Sequence, residues 1–459
     1  MSRRPTLAAL VAVASLVLVA GAGAARSSAP DTVRASFFVN WDRYGRGYFV
    51  NQIPADSLDV IDYAFAFPTA TGCALSDPWS DYEAPTWSGA QSVDGVADDP
   101  SNPDQHVFGN FNQLLKLKAA RPNLRIEISL GGWTGSTWFS DAAATPASRE
   151  AFAKSCIDLF IRGNLPYDPQ NIWPPQSGGP GVIAGLFEGI NIDWEYPGVD
   201  PGNGAHHSPA DTHNATLLLR ELRRQLDEFG AVTGEHYSLT VDIPGGNVNS
   251  TGRWELADVA QTVDWIDLMS FDFHGSWDPL TDFNSPLSVD PAEPAVGGGA
   301  IQSTWSTAGS VDYFLANGVP PQKLVLGIPF YGKEYVGVPS ANQGLWQTHG
   351  PAPANDSPTF HDLVDTVLAD ANLVPIGPTA LRGGQGTAVN GFRRYYDGAA
   401  GAPWLYNPTL NGGTFISYID PRAVEQRMAL VHARKLRGAF AWEISNDDNA
   451  NDLVNAMSH

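Results

Sequence analysis

Cationic side chains are scarce in this sequence. Its 459 residues hold 27 Lys and Arg against 49 Asp and Glu, for a formal net charge of -22. So acidic a surface repels nucleic acid and anionic lipid, and leaves neutral ligands unopposed. Cysteine is almost absent, with only Cys73 and Cys156. Two cysteines make no disulfide scaffold in a chain this long, and sequence alone leaves open whether they pair. Long apolar runs are missing as well, apart from one near the start. None approaches the ~20 residues of a membrane span. There is no Ser/Thr/Pro-rich linker and no internal repeat, so no appended module is expected.

What is present is apolar bulk. Hydrophobic residues make up 43% of the chain, ample for one large core. The 46 Gly and 35 Pro are scattered and punctuate loops. Aromatics reach 11%, with 14 Trp, a richness that packing or sugar-stacking surfaces could equally use. At the N-terminus, Arg3 and Arg4 precede an apolar run over residues 7–20, then "GAGAARSSAP" with small-residue cleavage sites. That pattern predicts a signal peptide over residues 1–24 and a soluble, exported mature protein.

Strand-like runs occur at 35–40, 60–67, 124–132, 189–195, 237–244, 263–273, 323–330 and 437–445, and amphipathic segments lie between several of them. The segments at 146–163 and 212–230 carry apolar residues at helical spacing, the second through Leu217, Leu218, Leu222 and Leu226. Eight strands alternating with helices predict an α/β fold, a (β/α)₈ barrel, with a doubly wound open sheet as the alternative. The stretch from Phe330 to Arg437 far exceeds the ~20–30 residues that one helix and its loops require. Residues 332–413 are therefore expected to form a small inserted α+β subdomain, with the barrel built from 31–331 and 414–459.

"FEGINIDWEYPG" (187–198) decides for the barrel. Alternate strand residues share a face, so Gly189, Asn191, Asp193 and Glu195 form one file and Ile190, Ile192 and Trp194 the other. Barrel strands point their ends into one central mouth, and Glu195 sits at such an end. Asp193 and Glu195, with Cα atoms about 6.6 Å apart, suggest glycoside hydrolysis. Two side chains on one strand approach a sugar from the same side, however. Glu195 suits the acid and Asp193 is badly placed as nucleophile, which must come from elsewhere or from a 2-acetamido group of the substrate. The bland alternatives are polar residues at a strand end, or a metal site using the histidines of "GAHHSPADTH" (204–213), whose spacing is not ligand-like.

The same segment resembles the Asp-Gly-x-Asp-x-Asp-x-Glu signature of glycoside hydrolase family 18 chitinases. "SLGG" (129–132) with Trp133, "LMSFDFHGSWD" (268–278), "KLVLGIPFYGK" (323–333), "GAFAWEIS" (438–445) and "GFRRYYD…YNPTLNGGTFISYIDP" resemble further motifs of that family in order, across essentially residues 34–459. The resemblance implies that Glu195 protonates the glycosidic oxygen while Asp193, supported by residue 191, steadies the substrate's own acetamido group as it attacks. It also implies a substrate site of Trp442, Met269, Phe271, Asp272, Trp133, Trp41, Tyr196 and Gly132. Three positions depart from the pattern. Glu188 replaces the first Asp but points away from the mouth, Asn191 replaces the middle Asp, and Phe271 replaces a Tyr. Glu127, inward by parity, is expected to find the Asn191 amide or Arg125 as partner. The expectation is a secreted, monomeric chitinase acting on chitin and chito-oligosaccharides, with no cofactor, no metal, no nucleic-acid partner and no membrane span. A chitin-binding lectin and an endo-β-N-acetylglucosaminidase are the rivals.

Overall fold

The computed structural model describes residues 32–167, 176–246, 251–294, 304–364, 380–382 and 387–458. The expected signal peptide (1–24) lies outside them. Eight parallel strands form the centre: β1 Val33–Val39, β2 Val60–Thr69, β3 Arg125–Gly131, β4 Gly189–Asp193, β5 Ser238–Pro244, β6 Trp265–Met269, β7 Leu324–Pro329 and β8 Gly438–Trp442. Each pairs with the next, and β1 pairs with both β2 and β8, so the sheet closes. A barrel results, not the open sheet.

Period-two alternation divides each strand between two environments. The outward set, such as Ile128, Ile190, Ile192, Val241 and Leu268, packs with helical residues including Leu218, Leu222 and Leu226 in one continuous core. The inward set is split. Val33, Ala35, Phe37, Val60, Ala64, Val325 and Phe440 make an apolar half. Asp62, Glu127, Asp193, Asp242 and Asp267 share the inward parity of their strands and are buried. The barrel interior is therefore half acidic.

The two expected helices form. One runs Pro146–Cys156, with Pro146 in its first turn and a reciprocal Thr145–Ser148 cap, and continues as a wider turn over Ile157–Ile161. The other runs Asp211–Thr233 and ends at Gly234, whose φ of 80° suits the left-handed cap. Its buried face uses Leu219 where Leu217 was expected, because the 3.6-residue period from Ala215 falls there. Cys73 and Cys156 form a disulfide that ties the short strand Gly72–Leu75, paired antiparallel to β2, to this helical layer.

After β7, a four-stranded antiparallel sheet is inserted, in the order Arg393–Asp397, Ala402–Asn407, Thr414–Ser417, Lys333–Val336. Its last strand extends past the expected boundary at 413, because Thr414–Ser417 pairs with Lys333–Val336 and not with the barrel. Tyr335, Trp404, Tyr406 and Phe415 form its core, joined by Phe283 from the β6–β7 connection. Among the described residues no helix is long and apolar enough to cross a membrane.

Candidate active site

The C-terminal ends of the barrel strands surround a cavity of about 600 Å³. Of the residues expected there, Trp41, Trp133, Asp193, Glu195, Tyr196, Met269, Phe271, Asp272 and Trp442 line it. Asn191 and Gly132 do not. Gly132 stands behind the wall, where its N–H donates to Asp193 O at 2.9 Å and a side chain would strike the Phe65 ring. Phe65, Asp242, Trp277, Trp305 and Tyr331 also line the cavity and were not singled out from sequence. Trp277 and Tyr331 lay inside recognised motifs, and Asp242 has inward parity in its strand, so a stricter count of alternation would have found it.

β4 ends at Asp193, and Glu195 stands two residues on at the rim. Its backbone is held firmly. Glu195 N donates to Ser136 Oγ at 2.9 Å, while that hydroxyl donates to Gly132 O. Asn203 Nδ2 donates to Glu195 O at 3.1 Å and to Trp133 O at 2.7 Å. Part of the Glu195 side chain opens to the cavity, yet the surrounding protein displaces most of its water. Burial first, and the Asp272 charge next among the raising causes, push its carboxyl up to about 7, against the pull of a Tyr196 hydrogen bond. A proton is thus available near neutral pH. Asp193 is pushed well above the usual carboxylate range by burial, then by Glu195 and Asp267.

Asn191 forms the layer below. It accepts from Ser129 Oγ at 2.7 Å and donates to Thr240 Oγ1 at 3.0 Å and to Asp267 Oδ2 at 3.4 Å. The expected direct contact of Glu127 with Asn191 or Arg125 is not formed. Hydroxyls from β5 stand between: Thr240 Oγ1 donates to Glu127 Oε2 at 3.0 Å, and Ser238 Oγ donates to Glu127 Oε1 while accepting from Arg125 Nη2 at 2.8 Å. The strand β5 supplies two small hydroxyl residues at the positions where direct contact would occur. Glu188 points outward, as expected, and pairs with Lys118.

Aromatic rings make the walls. Trp442 stacks on Phe65 with centroids 5.8 Å apart and meets Phe37 at 5.1 Å. Trp41, Trp133 and Trp277 are 47%, 48% and 59% exposed, so their faces are offered to solvent and not to a core. Phe271 meets Tyr331 edge-on at 6.1 Å. Asp272, at a φ of 55°, is anchored through its N–H to Asn284 Oδ1 and pairs with Lys333 Nζ at 2.9 Å, linking the inserted sheet to the pocket.

The histidines of 204–213 make no metal cluster with these carboxylates. His206 meets Asp141 and His213 meets Glu255, all at the surface. Among the described residues, His274, Asp282 and Glu293 bring their potential ligand atoms within 4.8 Å of one another. Burial favours a neutral His274, but its hydrogen bond to Asp278 and the Asp282 charge outweigh this and raise its pKa.

The profile of the glycosyl hydrolases family 18 matches residues 33–447. The chain belongs to that family. It is 34% identical to chitinase A1 of Niallia circulans over 93% of its own length, and 32% identical to chitinase C of Streptomyces lividans over 90%. It spans 58% and 57% of those two proteins. The catalytic domain of psychrophilic chitinase B from Arthrobacter TAD20 superposes with a TM-score of 0.76 at 30% identity, covering 93% of this chain and 94% of that one.

Proposed function

We propose that the protein is an exported chitinase that hydrolyses β-1,4 linkages between N-acetylglucosamine units with retention, through participation of the substrate's own acetamido group. The observation that carries this reading is a Glu195 carboxyl held near pH 7, with Asp193 beneath it on the same strand, inside an aromatic-walled cavity. The chitinase relatives, the signal-like N-terminus and the acidic surface agree with it.

Glu195 gives its proton to the glycosidic oxygen as the C–O bond breaks, and the acetamido carbonyl oxygen bonds to C1 in a cyclic oxazolinium. Asp193 accepts the acetamido N–H and balances the growing positive charge. It approaches from the same side as Glu195, so it serves this task and not that of nucleophile. Asp272 is paired with Lys333 and is no free nucleophile either. Water, losing its proton to Glu195, then opens the ring at C1 from the face the leaving group left, so the new bond takes the place of the broken one and configuration is retained. Trp442 underlies the reacting sugar, while Trp133 and Trp41 stack on its neighbours.

Digestion of chitohexaose, with the anomer of the first products read by NMR, tests this. The β-anomer should appear first, activity should fall as pH passes about 7 and Glu195 loses its proton, and Glu195→Gln should bind oligosaccharide without cleaving it. An initial α-anomer, or near wild-type turnover by Glu195→Gln, refutes the mechanism. Binding without cleavage by the wild type identifies a lectin, and cleavage confined to glycoprotein glycans an endo-β-N-acetylglucosaminidase.

A further inference from the structure

Asp242 has no task in that reaction. It follows Val241 on β5, and Val241 stands opposite Ile192 of β4. Continuing the register by one residue puts Asp242 opposite Asp193, on strands that run ~4.8 Å apart. Both carboxyls point inward and line the cavity. Asp242 is only 1% exposed, and both its oxygens, together with Asp193 Oδ1, are buried without a hydrogen-bond partner.

Three unpartnered carboxylate oxygens at one place are costly, and two buried anions side by side are costlier. The neutral donors around them are already engaged. Asn191 Nδ2 serves Thr240 and Asp267, Ser129 Oγ serves Asn191 Oδ1, and Thr240 Oγ1 serves Glu127. Among the described residues, the charges that act most on Asp242 are acidic, Asp193 on β4, Asp267 on β6 and Asp62 on β2, with the Asn191 amide beside them. Glu195 stands above, next to Asp193. One retained proton removes one of the two anions and engages two of the three oxygens, one on each carboxyl.

We propose that Asp242 is a positioning residue: its carboxyl holds a proton shared with Asp193 and donates it to Asp193 Oδ1. Asp193 is thereby kept as an anion whose other oxygen faces the acetamido N–H of the substrate. Burial favours a proton on either carboxyl; the charges of Asp193, Asp267 and Asp62 add to it at Asp242, where the Asn191 amide opposes it, and those of Glu195 and Asp267 add to it at Asp193, so the pair shares the proton. The role given to Asp193 rests on the reaction proposed above. The presence of the shared proton does not.

The test compares Asp242→Asn, which keeps a donor at the same place, with Asp242→Leu, which keeps the size and loses the donor. Loss of a hydrogen bond to a charged group should lower kcat by about ten- to a hundredfold in Asp242→Leu, with KM little changed, while Asp242→Asn stays within a few-fold of wild type. The acid limb of the kcat profile should separate the two variants. Asp193 without a donor takes up its proton more readily, so the limb rises in Asp242→Leu. With an amide still donating, it moves little in Asp242→Asn. If Asp242 were a second anion, both variants would lower the limb, and that result overturns the proposal. So does an Asp242→Asn enzyme as slow as Asp242→Leu. Infrared spectra of the ligand-free protein at neutral pH decide independently, since a protonated-carboxyl band should weaken in Asp242→Asn. An unchanged band refutes the shared proton even if Asp242→Leu fails to fold. An Asp193→Asn variant with wild-type kcat would refute the reaction scheme and leave the infrared result standing.

Discussion

Replacing Asp62 by Asn should make the protein's stability less sensitive to pH. Asp62 lies on β2 opposite Glu127, is buried, and has an oxygen without a hydrogen-bond partner. Burial, then the charges of Glu127 and Asp267, raise it well above its ordinary 3.8. In the unfolded chain Asp62 loses its proton near 3.8, while in the native barrel it keeps that proton to much higher pH. Between these values the native state binds one more proton, so rising pH favours unfolding. Its stability contribution is intact below about pH 4 and is lost at about 1.4 kcal/mol per pH unit above that. From pH 5 to 7 the loss approaches a ceiling of about 3 kcal/mol for this one group, set by one proton held across two pH units. Asn has the same size and does not titrate. Asp62→Asn should therefore gain steadily on the wild type between pH 5 and 7, by up to about 3 kcal/mol, whatever its offset at pH 5. Guanidinium unfolding followed by tryptophan fluorescence at pH 5, 6 and 7, with refolding checked at each, measures this. Parallel pH dependences in the two proteins would refute the argument. Asp193, Asp242, Asp267 and Glu127 are raised by burial as well, so a wild type whose stability rises from pH 5 to 7 would refute the protonated interior altogether.

Phe271→Tyr should raise kcat on chito-oligosaccharides about fivefold, because a hydroxyl added to the pocket edge can donate to the acetamido oxygen at about 1 kcal/mol; a slower variant would show that Tyr331 beside it already serves this purpose. Lys333→Met leaves the Asp272 charge uncompensated near Glu195, so the basic limb of the kcat/KM profile should move up by less than about one pH unit, and an unmoved limb would show that the ion pair is fully screened. Replacing Cys73 and Cys156 together by Ser opens a link across 83 residues and should cost about 2–4 kcal/mol of stability, seen as a melting point about 2–4 °C lower. Equal melting points with and without a reductant would refute that contribution.

Much of the architecture was legible because it rests on local periodicities. Short apolar runs separated by amphipathic segments marked the eight barrel strands, and period-two alternation over 189–195, with Glu195 at the strand end, marked the mouth. The excess length between Phe330 and Arg437 located the inserted sheet, although only pairing partners could show that Thr414–Ser417 belongs to it. Trp133 was found beside a motif and Trp41 through the family resemblance, Trp277 was passed over inside a motif, and Trp305 comes to the same cavity from the long β6–β7 connection with no periodicity to place it.

By itself, the sequence determined the strands, the inward parity of Asn191, Asp193 and Glu195, and the acidic balance of the chain, since each depends on spacing or composition. Closure of the sheet decided everything that depends on neighbours from different strands. It placed Thr240 and Ser238 between Glu127 and its expected partners, and gathered Asp62, Asp242 and Asp267 around the Asp193 layer. A carboxylate's charge depends on the water it has lost and the charges around it, and both are properties of the closed barrel.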